Sequence, residues 1–242
     1  MKKITIVIGI ILIGLITNCK KHKVNPKDVV EIMTTESHLN ADGTSELKIV
    51  ASIPLKATSD KREITFNTSI GNFKNGTNGT LKLTADDKDI VDGKLSAIAY
   101  LIAPTELGNV IVKASISDFS DEVSISLNKV IASEIDLSAD VFAVKVNYGG
   151  NVNLTATLSS SSGGLVSQGN KVKFIDTDLN NNPINGTFEQ TIISSNDKSQ
   201  ATTKYTPGLI APGNYIYIKA IYLNDSGIET NVRDSVKVYL LP

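Results

Sequence analysis

The sequence predicts an all-β protein made of two tandem antiparallel β-sandwiches behind an N-terminal signal segment. Three observations lead there. Apolar and polar residues alternate along most of the chain, no apolar stripe with helical spacing appears after the first 23 residues, and the pattern repeats after about 105 residues. In Glu46–Ile53, alternation places Leu47, Ile49, Ala51 and Ile53 on one face of a strand. Asn151–Leu158 does the same 105 positions later. A second pair of strands follows: Val110, Val112, Ala114 and Ile116 are answered by Ile216, Ile218, Ala220 and Tyr222. Gly108-Asn109 and Gly213-Asn214 open these strands, each a few residues after an Ala-Pro (Ala103-Pro104 and Ala211-Pro212). Ile64-Thr65-Phe66 likewise matches Val172-Lys173-Phe174.

Strand matching strand at a nearly constant offset implies two homologous units, 27–130 and 131–242. Each holds about seven strand-length runs separated by Gly, Asn, Asp, Ser or Pro, the count expected of a sandwich of about 100 residues. The junction Val130 to Ala132 contains neither Gly nor Pro, so it predicts a short and fairly stiff connection. The expected core adds Phe66, Phe73, Phe174 and Phe188 to the alternating aliphatics.

The N-terminus carries a location signal. Lys2 and Lys3 precede an apolar run, Ile4 to Ile16, of 13 residues, whereas a membrane-spanning helix needs about 18–20. The run ends at Thr17-Asn18-Cys19, and Cys19 is the only cysteine. This arrangement resembles the lipobox of bacterial lipoproteins, with Asn18 standing where Gly, Ala or Ser is usual. The resemblance implies a signal peptide over 1–18, a diacylglycerol on the Cys19 thiol and attachment to the membrane through that lipid. A cleaved secretory signal and an uncleaved anchor are the alternatives. Residues 19–26 then form a tether with Lys20, Lys21, His22 and Lys23, reaching roughly 30 Å when extended.

Charge and composition exclude several functions. Loss of residues 1–18 removes two of 24 basic residues, leaving 22 against 25 acidic ones, a net charge of −3. No basic field is present to hold nucleic acid. With no second cysteine there is no disulfide, so stability comes from packing alone. His22 lies in the tether and His38 beside the turn Asn40-Ala41-Asp42-Gly43, neither with a catalytic partner nearby in sequence. No nucleophile elbow, phosphate loop or His/Cys metal spacing occurs. Asp86, Asp87, Asp89 and Asp92 form one acidic loop, and Asp176 to Asn182 forms an oxygen-rich one. Neither has the spacing of a calcium loop: Lys88 interrupts the first, and the second lacks the central glycine and final glutamate. The reading is therefore non-enzymatic, with no catalytic residue, no metal site and no cofactor.

One surface stands out. If Ile216, Ile218 and Ala220 face the core, then Tyr215, Tyr217 and Lys219 line the outer face of that strand. The corresponding positions in the first unit are Asn109, Ile111 and Lys113, so the tyrosines belong to the second unit alone. Tyrosine offers rigid apolar area with a hydroxyl, which suits protein or sugar recognition, though it also simply covers sheets well.

Three segments carry a family resemblance. Leu154–Leu158, a Ser/Gly loop and Leu165–Phe174 look like the first half of a bacterial immunoglobulin-like domain of the invasin/intimin type. Ile64–Phe73 resembles that family's strand and turn, and Asp92–Ala97 resembles its later hairpin. The resemblance implies two tandem antiparallel immunoglobulin-like β-sandwiches, and it carries over no catalytic residue. It implies a cell-envelope protein that presents the two units for adhesion or protein contact, with an unknown protein or glycan as partner. The family's outer-membrane barrel and lectin-like tip have no counterpart in the sequence, so cell invasion is not inherited. The alternatives are a glycan-binding accessory lipoprotein of an outer-membrane uptake system and a periplasmic structural spacer. The expected location is the outer membrane, on the cell surface or the periplasmic face.

Overall fold

The computed structural model describes residues 25–184 and 186–242. The expected signal peptide, Cys19 and the tether as far as Val24 lie outside the described residues. The first half contains β1 (Glu31–Thr34), β2 (His38–Asn40), β3 (Glu46–Pro54), β4 (Glu63–Thr68), β5 (Asn72–Phe73), β6 (Thr80–Thr84), β7 (Asp86–Val91), β8 (Lys94–Ile102), β9 (Asn109–Ile116) and β10 (Phe119–Asn128). They form two sheets, β1-β3-β8-β5 with β7 also on β8, and β2-β10-β9-β4-β6. The second half contains β11 (Glu134–Ala139), β12 (Ala143–Lys145), β13 (Val152–Ser159), β14 (Lys171–Thr177), β15 (Thr187–Phe188), β16 (Ile192–Ser194), β17 (Gln200–Thr206), β18 (Tyr215–Leu223) and β19 (Glu229–Leu241). Its sheets are β11-β13-β17-β15 and β12-β19-β18-β14-β16. Single 3₁₀ turns at Pro26–Asp28 and Ser59–Lys61 are the helical elements described.

Alternation does what the sequence predicts. Leu47, Ile49, Ala51 and Ile53 are buried on β3, as are Val110, Val112, Ala114 and Ile116 on β9 and Ile216, Ile218, Ala220 and Tyr222 on β18. Two separate apolar clusters result, one between each pair of sheets. Phe66 and Phe73 meet edge-to-face at 5.9 Å in the first. In the second, Phe188 is half-buried and packs against the cluster, its ring 6.3 Å from that of Phe174 and 4.9 Å from that of the buried Tyr205. Burial on β3 goes further than alternation requires, because Val50 and Ser52 on its opposite face are also covered. Ser52 lies in register with Glu31 on β1 and Ser96 on β8. The two serine hydroxyls share a 2.8 Å hydrogen bond, and Lys94 pairs with Glu31 at 2.6 Å. These small polar side chains satisfy one another, so covering them costs little.

Most strand pairs are antiparallel, with two exceptions that share one cause. In each half the first strand is split. Its opening piece (β1 or β11) pairs antiparallel with β3 or β13, and its second piece (β2 or β12) crosses to the opposite sheet. There it lies parallel to β10 or β19. A carboxylate holds each crossing. The Ile32 N–H on β1 donates to Asp121 Oδ2 of β10 at 3.2 Å, and the Leu137 N–H on β11 donates to Asp234 Oδ2 of β19 at 2.8 Å. Both aspartates are half-buried.

A second carboxylate anchors the interior of the second half. The Tyr205 hydroxyl donates to Asp176 Oδ2 at 2.8 Å, and the Gly186 N–H donates to the same oxygen at 2.6 Å. Residue 186 must be glycine, since a Cβ there would run into the Tyr205 ring and hydroxyl. Burial pushes the Tyr205 hydroxyl far above its ordinary pKa, and the adjacent Asp176 charge adds to the shift.

The two halves meet through a buried polar joint. Ser167 donates its N–H to Val130 O at 3.0 Å and its hydroxyl to Ala41 O at 2.8 Å, and its Oγ accepts the Val130 N–H at 2.8 Å. Asn170, almost fully buried, donates Nδ2 to Val130 O at 3.0 Å and to Ser167 O at 2.6 Å. Its Oδ1 accepts the Tyr222 hydroxyl at 3.0 Å. Gln168 N–H to Thr105 O at 2.8 Å and an ion pair between Lys129 and Asp225 complete the contact.

Asp234→Ala is expected to destabilise the fold by about 1–3 kcal/mol in urea denaturation, since it leaves a backbone N–H unpaired. Asp121→Ala should cost less, its bond being longer. Tyr205 gives a pH signature of definite sign. Its neutral form is favoured in the fold, so above the ordinary tyrosine pKa of 10.0 the unfolded chain loses the proton first. Its contribution is full below that pH and declines as pH rises past it. Tyr205→Phe should therefore flatten the alkaline loss of stability, by at most about 1.4 kcal/mol per pH unit.

Candidate functional site

Strand registers place the predicted surface at one end of the second half. β13 begins there at Val152, β17 ends opposite it at Tyr205, and β18 begins at Tyr215 against Tyr239 near the end of β19. The other end, where Lys171 meets Leu223, adjoins the joint to the first half. Tyr215 and its neighbours therefore lie far from residue 25, where the described chain begins.

The structure separates the three residues that alternation grouped. Tyr215 is 43% exposed and packs against Tyr239 with ring centroids 5.0 Å apart. Lys237 Nζ sits 4.1 Å from the Tyr215 ring centroid, so a cation already occupies one face of that ring. Tyr217 is half-buried in register with Lys237. Lys219, also half-buried, donates to Asn181 Oδ1 at 2.7 Å. Tyr215 is thus the accessible member of the three, while Tyr217 and Lys219 are committed to the sheet and the neighbouring loop.

That loop is self-contained. Asp178 Oδ1 accepts the N–H groups of Asn180 and Asn182, each at 2.8 Å, and Oδ2 accepts Asn182 Nδ2 at 2.9 Å. The Asn182 side-chain and backbone bonds hold the Asp178 carboxyl below the usual carboxylate range. Its oxygens serve to shape the turn. Between this loop and the start of β18 lies a pocket of about 310 Å³, lined by Leu179, Asn180, Ile184, Ile210, Asn214 and Tyr215 among others.

Further apolar residues at the same end went unnoticed in the sequence. Leu209 is 82% exposed, and Phe142, Tyr148 and Leu179 are each more than half exposed. The Asn147 and Tyr148 N–H groups donate to Gly208 O and Pro207 O at 3.0 and 3.1 Å, which brings Tyr148 beside the Leu209 loop. The Tyr239 N–H donates to Phe142 O at 2.8 Å, which brings Phe142 beside the Tyr215–Tyr239 pair. Their one sequence signal was apolar side chains inside turn-rich stretches such as Pro207-Gly208-Leu209. Phe142 and Tyr148, flanking β12, carry no such signal.

No family model and no curated protein matches the sequence. Among solved structures, the chain is similar to the adhesin InvE of Yersinia pseudotuberculosis, with 15% identity, a TM-score of 0.51 and 89% of this chain covered. It is also similar to invasin, a bacterial integrin-binding protein, with 14% identity, a TM-score of 0.56 and 88% of this chain covered. The fold is the tandem immunoglobulin-like sandwich of the invasin/intimin type. The chain spans 59% of the InvE chain and 39% of the invasin chain. At these identities the likeness is one of fold.

Leu209 is nearly fully exposed, so Leu209→Ser should change stability by less than about 1 kcal/mol, whereas Tyr215→Ser, which also loses the Tyr239 and Lys237 contacts, should cost about 1–2 kcal/mol. The double variant should bind less of a hydrophobic dye such as bis-ANS than the parent while keeping a single cooperative thermal transition.

Proposed function

We propose that this protein is a non-enzymatic, lipid-anchored envelope protein whose two immunoglobulin-like units carry a protein-contact surface away from the membrane. The observation that carries the reading is the far end of the second unit. There Leu209, Phe142, Tyr148, Leu179 and Tyr215 leave apolar area exposed at the end remote from residue 25. Leu55, Ile90, Ile131 and Ile228 are exposed elsewhere, but this end adds three aromatics, Phe142, Tyr148 and Tyr215, which suits a contact surface. The fold shared with InvE and invasin, described as an adhesin and an integrin-binding protein, supports adhesion or protein contact as the kind of role. Anchoring rests on the sequence, through the Cys19 signal. The domain limits 27–130 and 131–242 belong to the same reading and are supported by the two separate cores.

The occupation of one Tyr215 face by Lys237 favours a protein partner over a sugar, because stacking on a sugar wants an open ring face. Protease treatment of intact cells, with lysed cells as control, tests the location. Loss of the protein from intact cells is the expected result, and protection until lysis would replace the contact role with that of a periplasmic spacer. Cys19→Ala should move the protein from the membrane fraction to the soluble fraction, and retention in the membrane would refute the lipid anchor.

A further inference from the structure

The opposite end of the molecule holds a pocket that the contact role does not use. It is about 420 Å³ in volume and sits where β3 ends, β9 turns into β10 and the described chain begins. Its walls are Val29, Ile53, Pro54, Ala57, Ile116 and Phe119. Ile53 and Ile116 belong to the first core, so the pocket opens the space between the two sheets to the outside. Lys56, Lys61 and Ser117 complete the lining, and no carboxylate does.

The wall carrying the lysines is an ordered loop. The Ala57 N–H donates to Pro54 O and the Lys61 N–H to Thr58 O, both at 2.9 Å. Arg62 Nε donates to Ala57 O at 3.0 Å while its guanidinium pairs with Asp87 at 2.9 Å. Arg62 is therefore neutralised. Among the described residues, Lys56 and Lys61 have no ion pair. Asp60 and Asp118 stand on the same two loops but outside the lining. Thr58 and, more weakly, the neighbouring Lys61 charge hold the Asp60 carboxyl below the usual carboxylate range, without an ion pair forming between Asp60 and Lys61.

An apolar slot with two ammonium groups at its rim, neither in an ion pair among the described residues, has a defined complement: one alkyl chain ending in an anion. We propose that this pocket binds a fatty-acid-type amphiphile, with the alkyl chain against Ile53, Ile116, Phe119 and Val29 and the carboxylate at Lys56 and Lys61. The volume lies toward the lower part of the roughly 300–1,000 Å³ range of small-molecule pockets, which suits a single chain and not a two-chain lipid. The chain's own residues 20–23 are the nearest competing occupant, and their Lys-Lys-His-Lys sequence repels the same lysines. The proposal stands independently of the contact surface at the far end.

The test places the full chain in nanodiscs of zwitterionic phosphatidylcholine and photolabels it with dodecanoate carrying a terminal diazirine, followed by peptide mapping. Label is expected on peptides containing Ile53–Lys61 and Ile116–Phe119. Unlabelled dodecanoate should compete for it, and dodecyltrimethylammonium should not. Lys56→Glu combined with Lys61→Glu, at two exposed positions where folding is not at stake, should weaken competition roughly tenfold. Ala57→Trp should fill the slot and abolish specific labelling, with the circular dichroism melt confirming that it folds. Label confined to residues 19–24 beside the anchor, label scattered without competition, or equal competition by the cationic amphiphile would each overturn the assignment.

Discussion

Each half of this molecule depends on a carboxylate that reaches across the gap between its sheets. Asp121 and Asp234 sit on the strand that closes each half, and each accepts a backbone N–H from the strand that opens it. A sandwich must keep its two sheets together over an apolar core, and with Cys19 as the only cysteine no disulfide is available to do so. Hydrogen bonds to an ionised acceptor are the stronger kind, worth about 1.5–3 kcal/mol. Placed where the opening strand leaves one sheet for the other, such a bond fixes where the crossing occurs. The parallel pairing of β2 with β10 and of β12 with β19 follows from that fixed crossing.

The second organising feature is the joint. Ser167 and Asn170 engage both the N–H and the C=O of Val130, and Ser167 adds a bond to Ala41 in the body of the first half. These groups are buried, so each unmade bond would carry the desolvation cost of a polar atom removed from water. The interior pairing of Tyr205 with Asp176 and Gly186 obeys the same rule, one carboxylate oxygen taking two donors in an apolar setting.

The sequence reveals features that repeat at short range and conceals those that depend on distant partners. Alternation at Leu47 to Ile53 and at Val110 to Ile116 exposes the core faces, because side chains two apart on a strand share a side. Asp92-Gly93 is legible as a turn, and both residues adopt the positive φ that a tight hairpin requires. Nothing in the sequence marks Asp121 or Asp234, since their partners lie 89 and 97 residues away. Ser167 and Asn170 are equally unmarked, their partners at Ala41 and Val130 lying far off in sequence. The Tyr215 surface was only half legible: alternation gives the outward direction of a side chain but not Lys237 over the ring or Asn181 holding Lys219.

The carboxylate clasps also set an order of assembly. The opening strand of each unit can pair early with β3 or β13, but the bond that fixes its crossing comes from a residue close to that unit's end, so that crossing waits for nearly the whole unit to follow. Closing contacts of such long range are slow to form, because the loop entropy is lost before the bond is gained. Each unit then completes itself once its own last strand has appeared, and the first can fold while the second is still being delivered. While the chain is being delivered, this keeps the unfolded length exposed at any moment close to that of a single unit.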